Sequence, residues 1–160
     1  MAKYKSIIGR FEPTTFPQHL LSDVPAKIDT GASISSIHAV DVREEKRNNK
    51  TVLRFTLLGS HASYDYCRDI EIEKYSKKTI ENSFGHSEKR YMVTLKVKVA
   101  NKVFNAKFTL ADRSKKAFPI LLGREMLSRR FIVDTSINNV NRKYLEARMP
   151  RVLKEDLDED

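Results

Sequence analysis

Apolar and polar residues alternate along several short windows of this chain, with the two-residue period of a β-strand. In one window Ile70 and Ile72 fall on one face, while Glu71 and Glu73 fall on the other. Few windows show the 3.6-residue period of a helix. The predicted strands are residues 4–11, 24–28, 52–58, 69–75, 91–99 and 103–110. The pattern therefore predicts an all-β fold.

Clusters of turn-forming residues separate these strands. Exposed hairpin loops or turns are predicted at residues 48–50, 83–86 and 113–116. Pro13 and Pro17 are predicted to bracket a loop, because proline removes a backbone donor from any strand that contains it.

Helical periodicity is confined to the C-terminal third, at residues 124–129 and, more weakly, at 142–148. We find no internal repeat and no linker that would divide the chain. Residues 1–150 are therefore predicted to form a single domain with one short C-terminal helix. The acidic stretch 151–160 is predicted to be a disordered tail.

Charge adds a first indication of the partner. The 30 lysines and arginines outnumber the 21 acids, which gives a formal charge of +9. Five of the last six residues are acidic, so the rest of the chain is more basic than the total indicates. Such a surface favours an anionic partner such as nucleic acid, acidic peptide or anionic lipid. The same excess also serves to keep a β-rich domain in solution.

Cysteine and hydropathy patterns restrict the compartment. Cys67 is the single cysteine, which excludes an internal disulfide framework. No stretch approaches the ~20 apolar residues of a membrane span. The first apolar run is too short for the core of a signal peptide. We therefore expect a cytoplasmic protein with no membrane partner.

A carboxylate stands at the end of the predicted strand 24–28, in the triplet Asp29-Thr30-Gly31. Alone this triplet indicates no more than a turn, because Asp and Gly are ordinary turn residues. A second element changes the interpretation. Residues 118–127 contain an apolar strand that ends at Gly123, followed by a short amphipathic helix.

The two elements, in this order, resemble the retropepsins, the retroviral and retroviral-like aspartic proteases. The resemblance implies a β-barrel protomer in which Asp29, Thr30 and Gly31 form the catalytic loop. It also implies that an apolar strand packs beside that loop. The residues assigned to structural support are Leu122, Gly123 and Arg124, with Arg124 in an ion pair near a dimer interface.

A closer resemblance is to a bacterial family described as ATP-dependent zinc proteases and associated with the RimK-type glutamate ligase. It covers roughly residues 7–140. The matching positions are Ile8-Gly9-Arg10, residues 26–39, Cys67, Ser83-Phe84-Gly85, Glu88, Arg90, Arg113 and residues 121–124. Two features depart from the family pattern: Ile34, where a small or hydroxyl residue is more usual, and the acidic tail.

Aspartic proteolysis requires two carboxylates that share one proton. Because this chain has one such loop, the resemblance implies a two-fold homodimer in which each copy supplies Asp29. Thr30 would then hydrogen-bond across the axis. Gly31 and Ala32 leave room for the two loops to approach.

The position of Lys27, two residues before Asp29, indicates the kind of substrate. Side chains two positions apart on a strand share a face, so Lys27 is expected to point with Asp29 into a cleft. Together with Ala32, Arg113 and Leu121 it is predicted to bind substrate, and its charge favours an acidic side chain. The alternative is that Lys27 extends into solvent. The ligase association implies cleavage of glutamate-rich or oligo-glutamate tails of a ribosomal protein, and the acidic residues 155–160 resemble such a substrate.

The hairpin around residues 83–90 is the expected flap over this cleft. The flap candidates are Ser83, Gly85, Glu88 and Arg90, with the last two expected to form an ion pair. His38, which closely follows the aspartate loop, is expected to be a packed, hydrogen-bonded histidine.

Zinc, ATP and nucleic acid are the other ligands that the sequence bears on. His19, His38, His61, Cys67 and His86 lack the short paired spacing of zinc ligands, and no phosphate-binding loop for ATP occurs. The sequence therefore predicts no metal and no cofactor. A non-catalytic retropepsin-like module that binds acidic peptide or RNA remains an alternative. Nucleic acid would be contacted by the basic clusters at residues 43–50, 74–78 and 113–116, although no RNA-recognition motif is present.

Overall fold

The fold is that of a computed structural model, which describes residues 4–153. Eleven strands and two α-helices follow one another along this part of the chain. They are β1 (Ser6–Ile8), β2 (Phe11–Phe16), β3 (Leu21–Ile28), β4 (Ser35–Arg47), β5 (Lys50–Leu57), β6 (Arg68–Ile72), β7 (Ser76–Glu81), β8 (Ser87–Val99), β9 (Lys102–Ala111), β10 (Ile120–Leu122), α1 (Arg124–Leu127), β11 (Phe131–Val133) and α2 (Arg142–Arg148). A 3-10 helix spans Pro17–His19, and residues 150–153 are also helical. The all-β prediction is confirmed.

The main sheet closes on itself. Its strands follow the order β10-β3-β2-β8-β9-β4-β5-β6, and β10 pairs with β3 on one side and with β4 on the other. The short strand β10 therefore joins the two ends of a six-stranded barrel. Closure removes the unpaired edges that an open sheet would present. The hairpins β4–β5–β6 and β7–β8 extend beyond this barrel.

Alternation places the core inside the barrel. In β8 the side chains of Val93, Leu95, Val97 and Val99 are buried, while the residues between them face outward. Phe108 in β9 is fully buried and meets another core phenylalanine edge to face. Burying such a side chain stabilises the fold by about 1.5–3 kcal/mol.

A second, smaller cluster attaches α2 to the barrel. Phe11 stacks on Phe118 with ring centroids 4.7 Å apart. Leu145 and Val152 pack in the same cluster. The hydroxyl of Tyr144 in α2 donates to the carbonyl of Ser63. The packed part of the chain thus reaches Leu153, three residues beyond the predicted domain boundary at 150. The acidic residues 155–160 lie outside the described part.

Four strands were not predicted, namely β2, β4, β7 and β11. In β4 five consecutive residues, Ser35–Ala39, are buried, because this half lies in the barrel with neighbours on both sides. The second half is charged and pairs only with β5. Neither half alternates in the way that indicates a strand. Strand β7 has no buried residue at all, and β11 is only three residues long, too short for an alternation to show.

The predicted loop from Pro13 to Pro17 is wrong, because β2 runs through Pro13. Pro13 stands opposite Pro25 of β3. Since neither proline has a backbone N–H to donate, their pairing confines the lost hydrogen bonds to one position of the ladder. The chain leaves the strand at Pro17, where the 3-10 helix begins.

The predicted turns at residues 48–50 and 83–86 are confirmed as hairpin turns. Asn48 and Asn49 both have positive φ angles, 47° and 67°, as a tight turn between twisted strands requires. At the second turn the Asn82 side chain accepts hydrogen bonds at 3.0 Å from the backbone N–H groups of Phe84 and His86.

A separate two-stranded parallel sheet joins β1 to β11. Its register pairs Ile7 with Ile132, and these side chains remain 60% and 53% exposed. Two large apolar side chains thus lie side by side on the surface. Within residues 4–153, no helix has the length and apolar character needed to cross a membrane.

Candidate active site

Asp29 lies at an open cavity of about 520 Å³. Its walls come from the ends of β2, β3 and β10, from the segment that follows β9, and from the helical residues near 152. The lining residues are Arg10, Phe11, Lys27, Ile28, Asp29, Arg113, Lys116, Ala117, Phe118, Leu121 and Val152.

The aspartate loop begins where β3 separates from its partner β10. The Asp29 N–H still donates to the Leu122 carbonyl at 2.9 Å, which continues the ladder by one bond. The chain then turns, and the N–H of Gly31 donates to Asp29 Oδ1 at 2.9 Å. This bond orients the carboxylate and satisfies one of its oxygen atoms.

Arg124 holds the loop from behind. Its Nη1 donates to the carbonyls of Thr30 and Gly31, at 3.1 and 2.8 Å. The ion pair of Arg124 near a dimer interface, which the resemblance implies, stays a prediction. A guanidinium bonded to two carbonyls of one turn fixes the backbone of that turn.

Gly123 brings the start of α1 against the same loop. An added Cβ would lie 2.8 Å from the carbonyl carbon of Ile34 and 2.9 Å from the carbonyl oxygen of Ala32. The Gly123 N–H donates to Ser35 Oγ at 2.9 Å, and the next N–H, of Arg124, donates to the Ala32 carbonyl at 2.8 Å. These backbone contacts require a residue without a side chain.

Arg113 extends into the cavity from the segment after β9. Its Nε donates to the Phe118 carbonyl at 3.0 Å and its Nη1 to Ser36 Oγ at 3.1 Å. Burial, together with the nearby charge of Arg90, lowers the pKa of Arg113 to about 10, while Asp29 acts in the opposite direction. Arg113 therefore still carries its charge at neutral pH.

Two buried histidines contact the backbone of Arg113. His38 Nδ1 accepts from the Arg113 N–H at 2.9 Å, and His61 Nε2 donates to the Arg113 carbonyl at 2.9 Å. Their rings lie edge to face, 5.1 Å apart. Burial lowers the pKa of His61, and the backbone hydrogen bond to Arg113 opposes this shift. His38 is thus packed and hydrogen-bonded, as expected. For His61 the sequence pattern predicts no such role.

Lys27 lines the same cavity as Asp29, and its side chain is exposed. It pairs in register with Leu121 of β10, which also lines the cavity. Arg10 and Lys116 add two further cations. Among the described residues, four cationic side chains and one carboxylate line this space. Thr30 and Ala32 lie outside the cavity lining, and Thr30 is exposed at the protein surface.

The hairpin β7–β8 contains the flap candidates. Ser83 and Gly85 are exposed at its tip, with Gly85 at a φ of 79°, and neither lines the cavity. Glu88 and Arg90 form an ion pair at 3.2 Å. The charge of Arg90 acts on Arg113, so the base of the hairpin lies close to the cavity. Closure of the tip over the cleft stays a prediction.

Metal ligands do not converge in the described part of the chain. Among residues 4–153, no three His, Cys, Asp or Glu side chains form a group able to hold a metal ion. Both ring nitrogens of His38 and of His61 are engaged in hydrogen bonds. Cys67 is exposed and unpaired.

Residues 7–144 match the family described as "RimB-like: Retropepsin-like aspartic endopeptidase RimB", a description that mentions neither zinc nor ATP. Proteins of Shewanella pealeana and Shewanella halifaxensis, both named "Probable alpha-L-glutamate ligase", are 33% and 32% identical over 136 residues. These matches cover 85% of this chain and 30% of each relative, so the chain spans about a third of their length.

A solved structure has the same fold. The crystal structure of a Legionella pneumophila protein of unknown function matches 85% of this chain and 98% of its own. The TM-score is 0.68 and the sequence identity 29%. The resemblance to retropepsin-like proteins associated with glutamate ligation is confirmed.

Proposed function

Because the chain belongs to the RimB-like family of retropepsin-like proteins, we propose that it is an aspartic-type peptidase that acts as a homodimer. The observation that supports this most directly is the position of Asp29. Its carboxylate lies on a loop braced by Gly31 and Arg124, at the mouth of a cavity lined by cations.

The chemistry requires Asp29 from both copies. Two adjacent carboxylates cannot both ionise cheaply, so the pair holds one proton between them. The ionised member takes a proton from water, and the oxygen of that water attacks the scissile carbonyl carbon. The protonated member hydrogen-bonds to the carbonyl oxygen as it becomes tetrahedral. When the C–N bond breaks, the leaving nitrogen receives a proton from the dyad.

Surface features support pairing. Thr30 and Gly31 are exposed in the single chain, so the loop is accessible to a second copy. Ile7 and Ile132 present an exposed apolar pair on the small sheet, which is connected to the aspartate loop through α1. Burying such a pair would favour association.

The cavity favours an acidic substrate. Lys27 and Arg113 stand beside Asp29, and a charge-assisted hydrogen bond in a cleft is worth about 1.5–3 kcal/mol. Because relatives are named for glutamate ligation, glutamate is the acidic residue that we expect in the substrate. We propose that glutamate-rich or oligo-glutamate tails, such as those of a ribosomal protein, are the substrate. An exposed free Cys67 fits the reducing cytoplasm as the compartment.

The direct test compares the wild-type chain with Asp29→Asn on a peptide that ends in four glutamates, with oligomeric state recorded by ultracentrifugation. We expect cleavage by wild type, none by the variant, and a dimer in both. A matched peptide ending in four glutamines measures the acidic preference. Equal activity of the two proteins would remove Asp29 from the mechanism.

The second candidate is a non-catalytic module that binds acidic peptide through the same cations. It predicts binding of the tetra-glutamate peptide without cleavage. Binding of nucleic acid is less favoured, because acids lie beside basic residues in two of the three basic clusters, 43–50 and 74–78. Arg47 lies 3.1 Å from Glu71, and Lys77 lies 3.4 Å from Glu44.

A further inference from the structure

His38 and His61 hydrogen-bond to the two main-chain groups of Arg113. The Arg113 N–H donates to His38 Nδ1, while the Arg113 carbonyl accepts from His61 Nε2, both at 2.9 Å. The remaining nitrogens are anchored elsewhere. His38 Nε2 donates to the Gly59 carbonyl at 2.7 Å, and His61 Nδ1 accepts from the Ser63 N–H at 3.1 Å.

This arrangement has a structural cause. Arg113 follows the end of β9 at Ala111, so its N–H and carbonyl have no strand partner. Main-chain groups in a partly buried position require other partners. The N–H donates to His38, and the carbonyl accepts from both His61 Nε2 and the Lys116 N–H, each at 2.9 Å. Both histidines are almost fully buried, at 0% and 4% exposure. The backbone of Arg113 is therefore held by side chains that cannot easily move.

The side chain of Arg113 is fixed as well. Its Nε and Nη1 bind the Phe118 carbonyl and Ser36 Oγ. Nη2 has no hydrogen-bond partner within residues 4–153, and the residue lines the cavity beside Asp29. Lys27, by contrast, is exposed and has a flexible stem. Among the cations of the cavity, Arg113 is thus held at both its backbone and its side chain, whereas Lys27 is free to move.

We propose that Arg113 is the residue that determines specificity, binding one oxygen of a substrate carboxylate through Nη2, and that His38 and His61 are positioning residues that hold it in place. This inference rests on the acidic substrate class of the proposed function. A fixed donor loses little conformational entropy on binding, so it discriminates a carboxylate from an amide better than a mobile lysine does.

The two histidines offer a matched set of substitutions. The asparagine Oδ1 occupies the place of the histidine Nδ1 and accepts a hydrogen bond, while the glutamine Nε2 occupies the place of Nε2 and donates one. His38→Asn and His61→Gln therefore preserve the bonds to Arg113. His38→Gln and His61→Asn preserve only the bonds on the far side of each ring.

Binding is measured in the full chain carrying Asp29→Asn, so that no turnover is needed. Isothermal titration with a tetra-glutamate peptide, and with a tetra-glutamine peptide as control, compares the four histidine variants and Arg113→Gln. We expect His38→Gln, His61→Asn and Arg113→Gln to weaken tetra-glutamate binding about tenfold. His38→Asn and His61→Gln should remain within about twofold of the parent, with melting temperatures recorded for all.

The binding constants test the two roles separately. An equal loss in all four histidine variants would mean that the rings serve only packing, and it would overturn the positioning role. Unchanged affinity in Arg113→Gln would overturn the specificity role. If the parent binds neither peptide, the acidic substrate class fails and this inference fails with it. That outcome is distinct from binding that is insensitive to the substitutions.

Discussion

Replacing Gly123 by alanine puts a methyl group into the contact between β10 and the aspartate loop. The added Cβ would lie 2.8 Å from both the carbonyl carbon and the oxygen of Ile34, and 2.9 Å from the Ala32 carbonyl oxygen. All three are backbone atoms, so rotation of a side chain cannot relieve the overlap. The loop and the start of α1 must move apart by roughly half an ångström to reach ordinary contact.

The loss of stability follows from the overpacking and from the hydrogen bonds that join the start of α1 to the aspartate loop. Overpacking of this kind costs about 1–3 kcal/mol. The Arg124 N–H bond to the Ala32 carbonyl, 2.8 Å, and the Glu125 N–H bond to the Ser33 carbonyl, 3.0 Å, would lengthen together. Each is worth about 0.5–1.5 kcal/mol. We expect Gly123→Ala to lower the free energy of unfolding by about 2–4 kcal/mol.

Urea unfolding followed by far-UV circular dichroism measures this loss, and peptide cleavage measures the accompanying displacement of Asp29. Gly31→Ala is the matched control. Its added Cβ meets a single atom at 3.1 Å, the Oδ1 of Asp29, which rotates with its side chain. The control should lose activity with a stability change of less than about 1 kcal/mol. A Gly123→Ala protein that unfolds at the wild-type urea concentration would refute the tight backbone contact.

Three further predictions concern stability. Phe118→Ala should lower the free energy of unfolding by about 3 kcal/mol, whereas Phe84→Ala, on an exposed side chain, should change it by less than about 0.5 kcal/mol. Ending the chain after Arg151 should lower the melting temperature relative to a chain that ends after Leu153, because it removes the buried Val152. Because burial lowers the pKa of His61, the unfolded chain takes up a proton first as pH falls. The contribution of His61 to the free energy of unfolding is full above about pH 6.5 and declines below that pH. The urea midpoint of the wild-type chain should therefore fall more than that of His61→Gln between roughly pH 7.5 and 5.5.

Strands with a local signal could be predicted from the sequence. The alternation in β8 and β9 reflects burial on one face of each strand, and it predicted both. It failed for β4, whose first half has neighbours on both sides and so does not alternate. It also failed at Pro13, because only the facing Pro25 makes a proline acceptable at that place in the sheet.

The sequence by itself determined the all-β class, the loop from Asp29 to Gly31 and the supporting strand that ends at Gly123, since each is encoded in a few consecutive residues. Only the tertiary structure decided what surrounds the carboxylate. The cavity joins residues as distant as Arg10 and Val152, and the histidines that hold Arg113 come from different parts of the chain. Such contacts arise from barrel closure and from the docking of α2. No local pattern records them, because they join positions far apart along the chain.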